Sequence, residues 1–165
     1  MFLKNKVNVM CWNYRNYGGS EGTPDPYSSF KDGEEILKFI LDDIYMGEPA
    51  KLGCYGRSLG GIFATDLAAK HPEFIDFLLV DRSLGSLDKI SESRFKGPLT
   101  TSLFNYFSRG WVANSYENFY NFKGFKVVAQ DPNDLVIDQF CALNSNVAKF
   151  ACDNTFRAKE LSQSP

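Results

Sequence analysis

Two kinds of apolar pattern alternate along the chain. Short apolar runs occupy residues 7–12 (VNVMCW), 51–55 (KLGCY), 75–80 (IDFLLV) and 125–130 (FKVVAQ), and each predicts a strand. Elsewhere apolar residues recur every three or four positions. Phe30, Ile36, Leu37, Ile40, Leu41 and Ile44 predict a helix, capped by Ser28 or Ser29 and ended by Gly47-Glu48-Pro49. An Ala-rich helix is predicted over 62–70, closed by His71-Pro72. Shorter helices are predicted over 98–108 and 115–122, and a last one over 136–150. The polar tail from 160 to 165 is expected to fray. Strands alternating with helices predict an α/β protein with a parallel sheet and no internal repeat.

Length and composition narrow the picture. A chain of 165 residues suits one domain, and 44% hydrophobic residues are enough to build its core. A net charge of −2 argues against nucleic acid or an anionic membrane surface as the main partner. No apolar stretch approaches the ~20 residues of a membrane helix, and no signal peptide opens the chain. Cys11, Cys54, Cys141 and Cys152 lack zinc-ligand spacing. Cys11 and Cys54 lie in apolar runs and read as buried thiols, which suits a reducing, cytoplasmic compartment. With one histidine, His71, no metal site needing two can form, and no metal or organic cofactor is expected.

The strongest chemical signal is Gly56-Arg57-Ser58-Leu59-Gly60, a G-x-S-x-G pentapeptide between an apolar strand and an Ala-rich helix. A serine presented on a turn that sharp needs neighbours without Cβ, here Gly56 and Gly60. The helix behind it offers backbone N–H groups and a positive dipole end to a developing oxyanion, with the N–H of Leu59 as one donor. The bland alternative is a Gly-rich strand-to-helix turn with an incidental serine. Arg57 reads as a surface ion-pair partner or a contact for an anionic substrate group. Tyr14 reads as packing, and Arg15 as an ion-pair partner beneath the 14–22 loop. The aromatics from 104 to 125 suit a lid or acyl pocket and plain core equally well.

These residues resemble the α/β-hydrolase superfamily, and most closely its serine hydrolases of the α/β-hydrolase-domain or peptidase S33-like kind. Three segments carry the likeness: Tyr14-Arg15-Asn16-Tyr17-Gly18-Gly19-Ser20-Glu21-Gly22, the elbow around Ser58, and residues 78–87 (LLVDRSLGSL). With the acidic loop of residues 131–134, they span most of 7–143. Asn13 and Asn16 stand where many relatives have Asp and Gly. The resemblance implies a partial α/β-hydrolase fold, its family strands four to seven flanked by helices. It implies a single incomplete domain over 1–165, with the elbow at 56–60 and an aromatic-rich cap or connection over about 91–124. It also implies hydrolysis of an ester, thioester or amide of a small-molecule or acylated substrate. Ser58 would be the nucleophile.

The family acid lies after the seventh strand, where Asp134 fits, with Asp131 its rival in the same loop and Asp81 a weaker alternative. The family's histidine follows that acid, and no histidine follows Asp134. His71, about 18 Å from Ser58 along its helix, is expected to be a helix C-terminal residue and not the base. The family's third strand and its second oxyanion donor would precede residue 7, so the sheet should carry a gap unless residues 7–12 move to fill it. A fragment of a larger hydrolase is the simplest expectation. A non-catalytic pseudoenzyme or interaction fragment that keeps the scaffold is the alternative.

Overall fold

The computed structural model describes residues 2–46, 51–86, 102 and 114–163. The helix expected over 98–108 and most of the connection expected over 91–124 lie outside these residues, as do Gly47, Glu48 and Pro49.

Three strands form one parallel sheet in chain order: β1 (Gly53–Arg57), β2 (Phe77–Asp81) and β3 (Phe125–Ala129). The register pairs Tyr55 with Leu79 and Leu79 with Val127, so alternate residues of all three strands share a face. Leu78 and Val80 are fully buried on the other face, with Cys54 and Val128 packed beside them. Among the described residues four helices pack on that core: α1 (Pro26–Phe39), α2 (Gly60–Lys70), α3 (Ser115–Asn121) and α4 (Leu143–Gln163). Leu37, Ala64, Leu67, Ala68, Phe119 and Leu143 are their main contributions. Tyr55, Phe125 and Val127 on the opposite face stay exposed. The architecture is that of a partial α/β fold.

Helix ends follow local chemistry. The N-cap of α1 is Asp25, not Ser28 or Ser29. Its carboxylate accepts the Ser28 N–H at 2.9 Å and the Ser28 hydroxyl, while Pro26 fills the first helical turn. The serine expected to cap the helix instead binds the cap. A π-helical turn, Ile40–Ile44, continues the helix, closed by the Tyr45 N–H on the Ile40 carbonyl. The last helix starts at Leu143, later than expected, because residues 131–142 are tied into turns by the Asp131, Asp134 and Asp138 carboxylates.

Residues 7–12 do not form a strand. Val7, Val9, Met10 and Trp12 are all exposed, and no ladder joins them to β1. An apolar run becomes a strand only by pairing and burying one face, and this run does neither. Among the described residues the sheet therefore has three strands where four were expected, with β1 at one edge. Cys11, expected to be buried, is exposed for the same reason. Cys54 on β1 is well covered, and burial pushes its thiol up to about 12.

Candidate active site

The pentapeptide sits where β1 ends and α2 begins. Ser58 immediately follows Arg57, the last residue of β1, and has φ +53°. That left-handed conformation is strained for a residue with a Cβ. It turns the chain so sharply that a Cβ on Gly56 would overlap the Gly60 carbonyl and lie 2.7 Å from the Gly61 Cα. The Gly61 and Ile62 N–H groups close the turn on the Ser58 and Leu59 carbonyls, at 3.0 and 3.1 Å. Leu59 already has helical angles (φ −53°, ψ −34°), so its N–H belongs to the first turn of α2, where a helix leaves donors unpaired. The Ser58 side chain is exposed.

The end of β2 grips this turn. The Ser58 N–H donates to the Asp81 carbonyl at 3.0 Å, and the fully buried Ser83 hydroxyl donates to the Ser58 carbonyl at 2.7 Å. Nothing in the hydrophobic pattern singles out Ser83; only its position two residues beyond the strand hints at it. The Tyr14 ring packs on Phe63 of α2 at 5.1 Å between centroids, and its hydroxyl would lie 3.8 Å from a Cβ on Gly60. The 14–22 loop thus flanks the elbow. Arg15 beneath it holds Asp32 of α1 with two hydrogen bonds of 2.8 and 2.6 Å.

Charge gathers at the same carboxyl ends of the strands. Asp81 takes two hydrogen bonds from Arg82, at 2.9 and 3.0 Å, one from the Tyr55 hydroxyl at 3.3 Å, and an ion pair with Arg57 at 3.8 Å. The Arg82 hydrogen bonds hold its carboxyl below the ordinary range. As a hub for two arginines, Asp81 is occupied by structure.

Asp134 lies in the loop after β3. Its Oδ1 accepts the N–H groups of Val136 at 2.8 Å and Ile137 at 3.0 Å, and these bonds, with the charges of Arg82 and Arg57, lower its pKa. Asp131 instead binds the Asn133 N–H within its own turn, at 2.9 Å. Ser58 and Asp134 therefore sit at the carboxyl ends of β1 and β3, the side of a parallel sheet where chemistry is usually built. His71 lies elsewhere. It caps the C-terminus of α2, its N–H on the Leu67 carbonyl at 3.0 Å and its Nδ1 3.8 Å from Glu73. The eleven residues of α2 separate it from the elbow, roughly 16 Å of helix. Among the described residues no cluster of His, Cys, Asp or Glu could hold a metal ion.

Comparison with known proteins adds relatives. No family model matches the chain. Over 87 residues it is 30% identical to the α/β hydrolase domain-containing protein WAV2 of Arabidopsis thaliana, covering 53% of this chain and 28% of that protein. Over 81 residues it is 30% identical to the protein bem46 of Schizosaccharomyces pombe, covering 49% and 27%. The chain is related to the α/β-hydrolases. A third relative, 31% identical over 84 residues, is an uncharacterized membrane protein of Saccharomyces cerevisiae, covering 51% of this chain and 29% of that protein. The chain spans less than a third of the length of these relatives. No helix among the described residues of the chain is long and apolar enough to cross a membrane.

Proposed function

We propose that the elbow belongs to a serine hydrolase acting on an ester, thioester or amide bond of a small-molecule or acylated substrate. The strained, exposed Ser58 at the start of α2 carries the reading. Ser58 Oγ attacks the carbonyl, and the Leu59 N–H receives the oxyanion in the first turn of α2, where the helix dipole favours it. Asp134 is the acid that orients the base, its carboxylate kept ionised by two backbone N–H groups and two nearby arginines. The base is a histidine from outside these 165 residues, and residues 1–165 are one incomplete hydrolase domain. Without it the elbow still offers Ser58 and its oxyanion donor, which retain a fraction of the rate.

Free imidazole tests this directly. Turnover of p-nitrophenyl acetate by the 165-residue chain should rise with imidazole above the protein-free background, and Ser58→Ala should abolish the rise. An imidazole-dependent rate that survives Ser58→Ala contradicts the assignment.

One observation favours a second reading. The sole histidine caps the far end of α2, as it would in a scaffold that has lost catalysis and kept its shape. That reading predicts no Ser58-dependent turnover, with or without imidazole, in this chain or in any longer product of the gene.

A further inference from the structure

We propose that Ser83 is the positioning residue of the oxyanion donor. The catalytic meaning of this rests on Ser58 being the nucleophile. The Ser58 carbonyl and the Leu59 N–H belong to one planar trans peptide, so they point in opposite directions. Whatever fixes the carbonyl aims the N–H. The Ser58 carbonyl accepts two hydrogen bonds, one from the Ser83 hydroxyl at 2.7 Å and one from the Gly61 N–H at 3.0 Å. The Gly61 bond comes from within the turn. Ser83 is the anchor supplied from outside it.

Ser83 is itself immobilised. Its side chain is fully buried, and a Cβ on Gly61 would overlap its Oγ, so glycine at 61 makes room for it. Its own carbonyl accepts the Leu143 N–H at 2.9 Å, which ties it to the start of α4. Just before it, the Arg82 N–H donates to the Ala129 carbonyl at 2.8 Å, with Arg82 at φ +47°. Residues 81–83 therefore hold Ser58 at both its N–H and its carbonyl while fastened to β3 and α4. A strained backbone persists only where its surroundings over-determine it, and this segment supplies that constraint. The Leu59 N–H is pre-aimed before substrate arrives, as an oxyanion donor must be.

The test compares the full chain with Ser83→Ala, which deletes only the hydroxyl, and with the near-isosteric, weaker donor Ser83→Cys. The N–H residual dipolar coupling of Leu59, measured by NMR, reports the orientation of the peptide plane whether or not Ser58 reacts. It should change in Ser83→Ala while amides in the body of α2 keep their couplings, with Ser83→Cys in between. If Ser58 reacts with a fluorophosphonate in the presence of imidazole, the maximal inactivation rate should fall about tenfold per folded molecule, the worth of one lost hydrogen bond. The concentration for half-maximal rate should stay unchanged. A merely stabilising role would lower the melting temperature and leave that rate alone. An unchanged Leu59 coupling in Ser83→Ala overturns the proposal, and if that variant does not fold, the coupling in Ser83→Cys decides. Failure of wild-type Ser58 to react counts against the hydrolase reading alone, and the coupling still decides on Ser83.

Discussion

The backbone N–H of Ser58 donates to the carbonyl of Asp81 at 3.0 Å. This bond extends the β1–β2 ladder one residue past the last strand pair, Arg57 with Asp81, into the turn that presents the serine. The side chain of Asp81 holds Arg82 and Arg57 at the same time. One residue thus supports the elbow through its backbone and organises the surrounding charge through its carboxylate.

The strain at Ser58 has a measurable consequence. Glycine adopts φ +53° without a Cβ penalty. Ser58→Gly should therefore be more stable than Ser58→Ala by about 1 kcal/mol, the strain of one left-handed residue less the added chain entropy of glycine. Guanidinium unfolding of the two variants checks this, and equal midpoints would show that the turn is relaxed.

Gly56 should be intolerant of a side chain. Its Cβ would meet the backbone of Gly60 and Gly61, which cannot swing aside. Gly56→Ala should destabilise the chain by roughly 2–3 kcal/mol, as overpacking does. A Cβ on Gly19 meets nothing within 4 Å, so Gly19→Ala should change stability by less than about 0.5 kcal/mol. Similar losses for both would refute the close approach.

Asp134 gives a pH signature of definite sign. Its backbone hydrogen bonds and the two arginines lower its folded pKa. Its contribution to stability is then fully present above the unfolded value, about 4, and is lost as pH falls through the lower folded value. The stability difference between the wild type and Asp134→Asn should be constant near neutrality and shrink in acid. Urea unfolding across a pH series would show it, and a difference independent of pH would contradict the lowered pKa.

Lys126 closes the C-terminus of α3. Its Nζ donates to the carbonyls of Tyr120 and Phe122, at 2.6 and 2.7 Å, and lies 5.6 Å from the Phe119 ring centroid. Lys126→Met keeps most of the stem and loses these bonds, at an expected cost of about 1 kcal/mol. Thermal unfolding of the two proteins would measure it, and an unchanged midpoint would mean the carbonyls are equally well satisfied by water.

The central α/β unit was readable because its signals are local. The runs before Ser58 and at residues 75–80 and 125–130 are apolar, strand-length and bounded by breakers, and each lies within two residues of an observed strand. The G-x-S-x-G turn was legible because sterics confine glycine to position 56, whereas at Gly60, expected to need glycine as well, a Cβ would meet only the Tyr14 hydroxyl at 3.8 Å. Residues 7–12 misled because a short apolar run states a propensity, and only a paired neighbour makes it a strand. The Asp25 cap was missed because Ser28 is an equally good capping type, and the choice rests on which residue precedes Pro26. Ser83 was invisible because its importance is a single contact across 25 positions of sequence, which no periodicity records.

The central claim is that Ser58 is a nucleophile, and covalent labelling tests it most directly. The 165-residue chain is treated with a fluorophosphonate, with and without imidazole, and the modified residue is located by mass spectrometry. Slow phosphonylation at Ser58 is expected, accelerated by imidazole and absent in Ser58→Ala. Labelling that persists in Ser58→Ala, or no labelling of Ser58 under either condition, would contradict it.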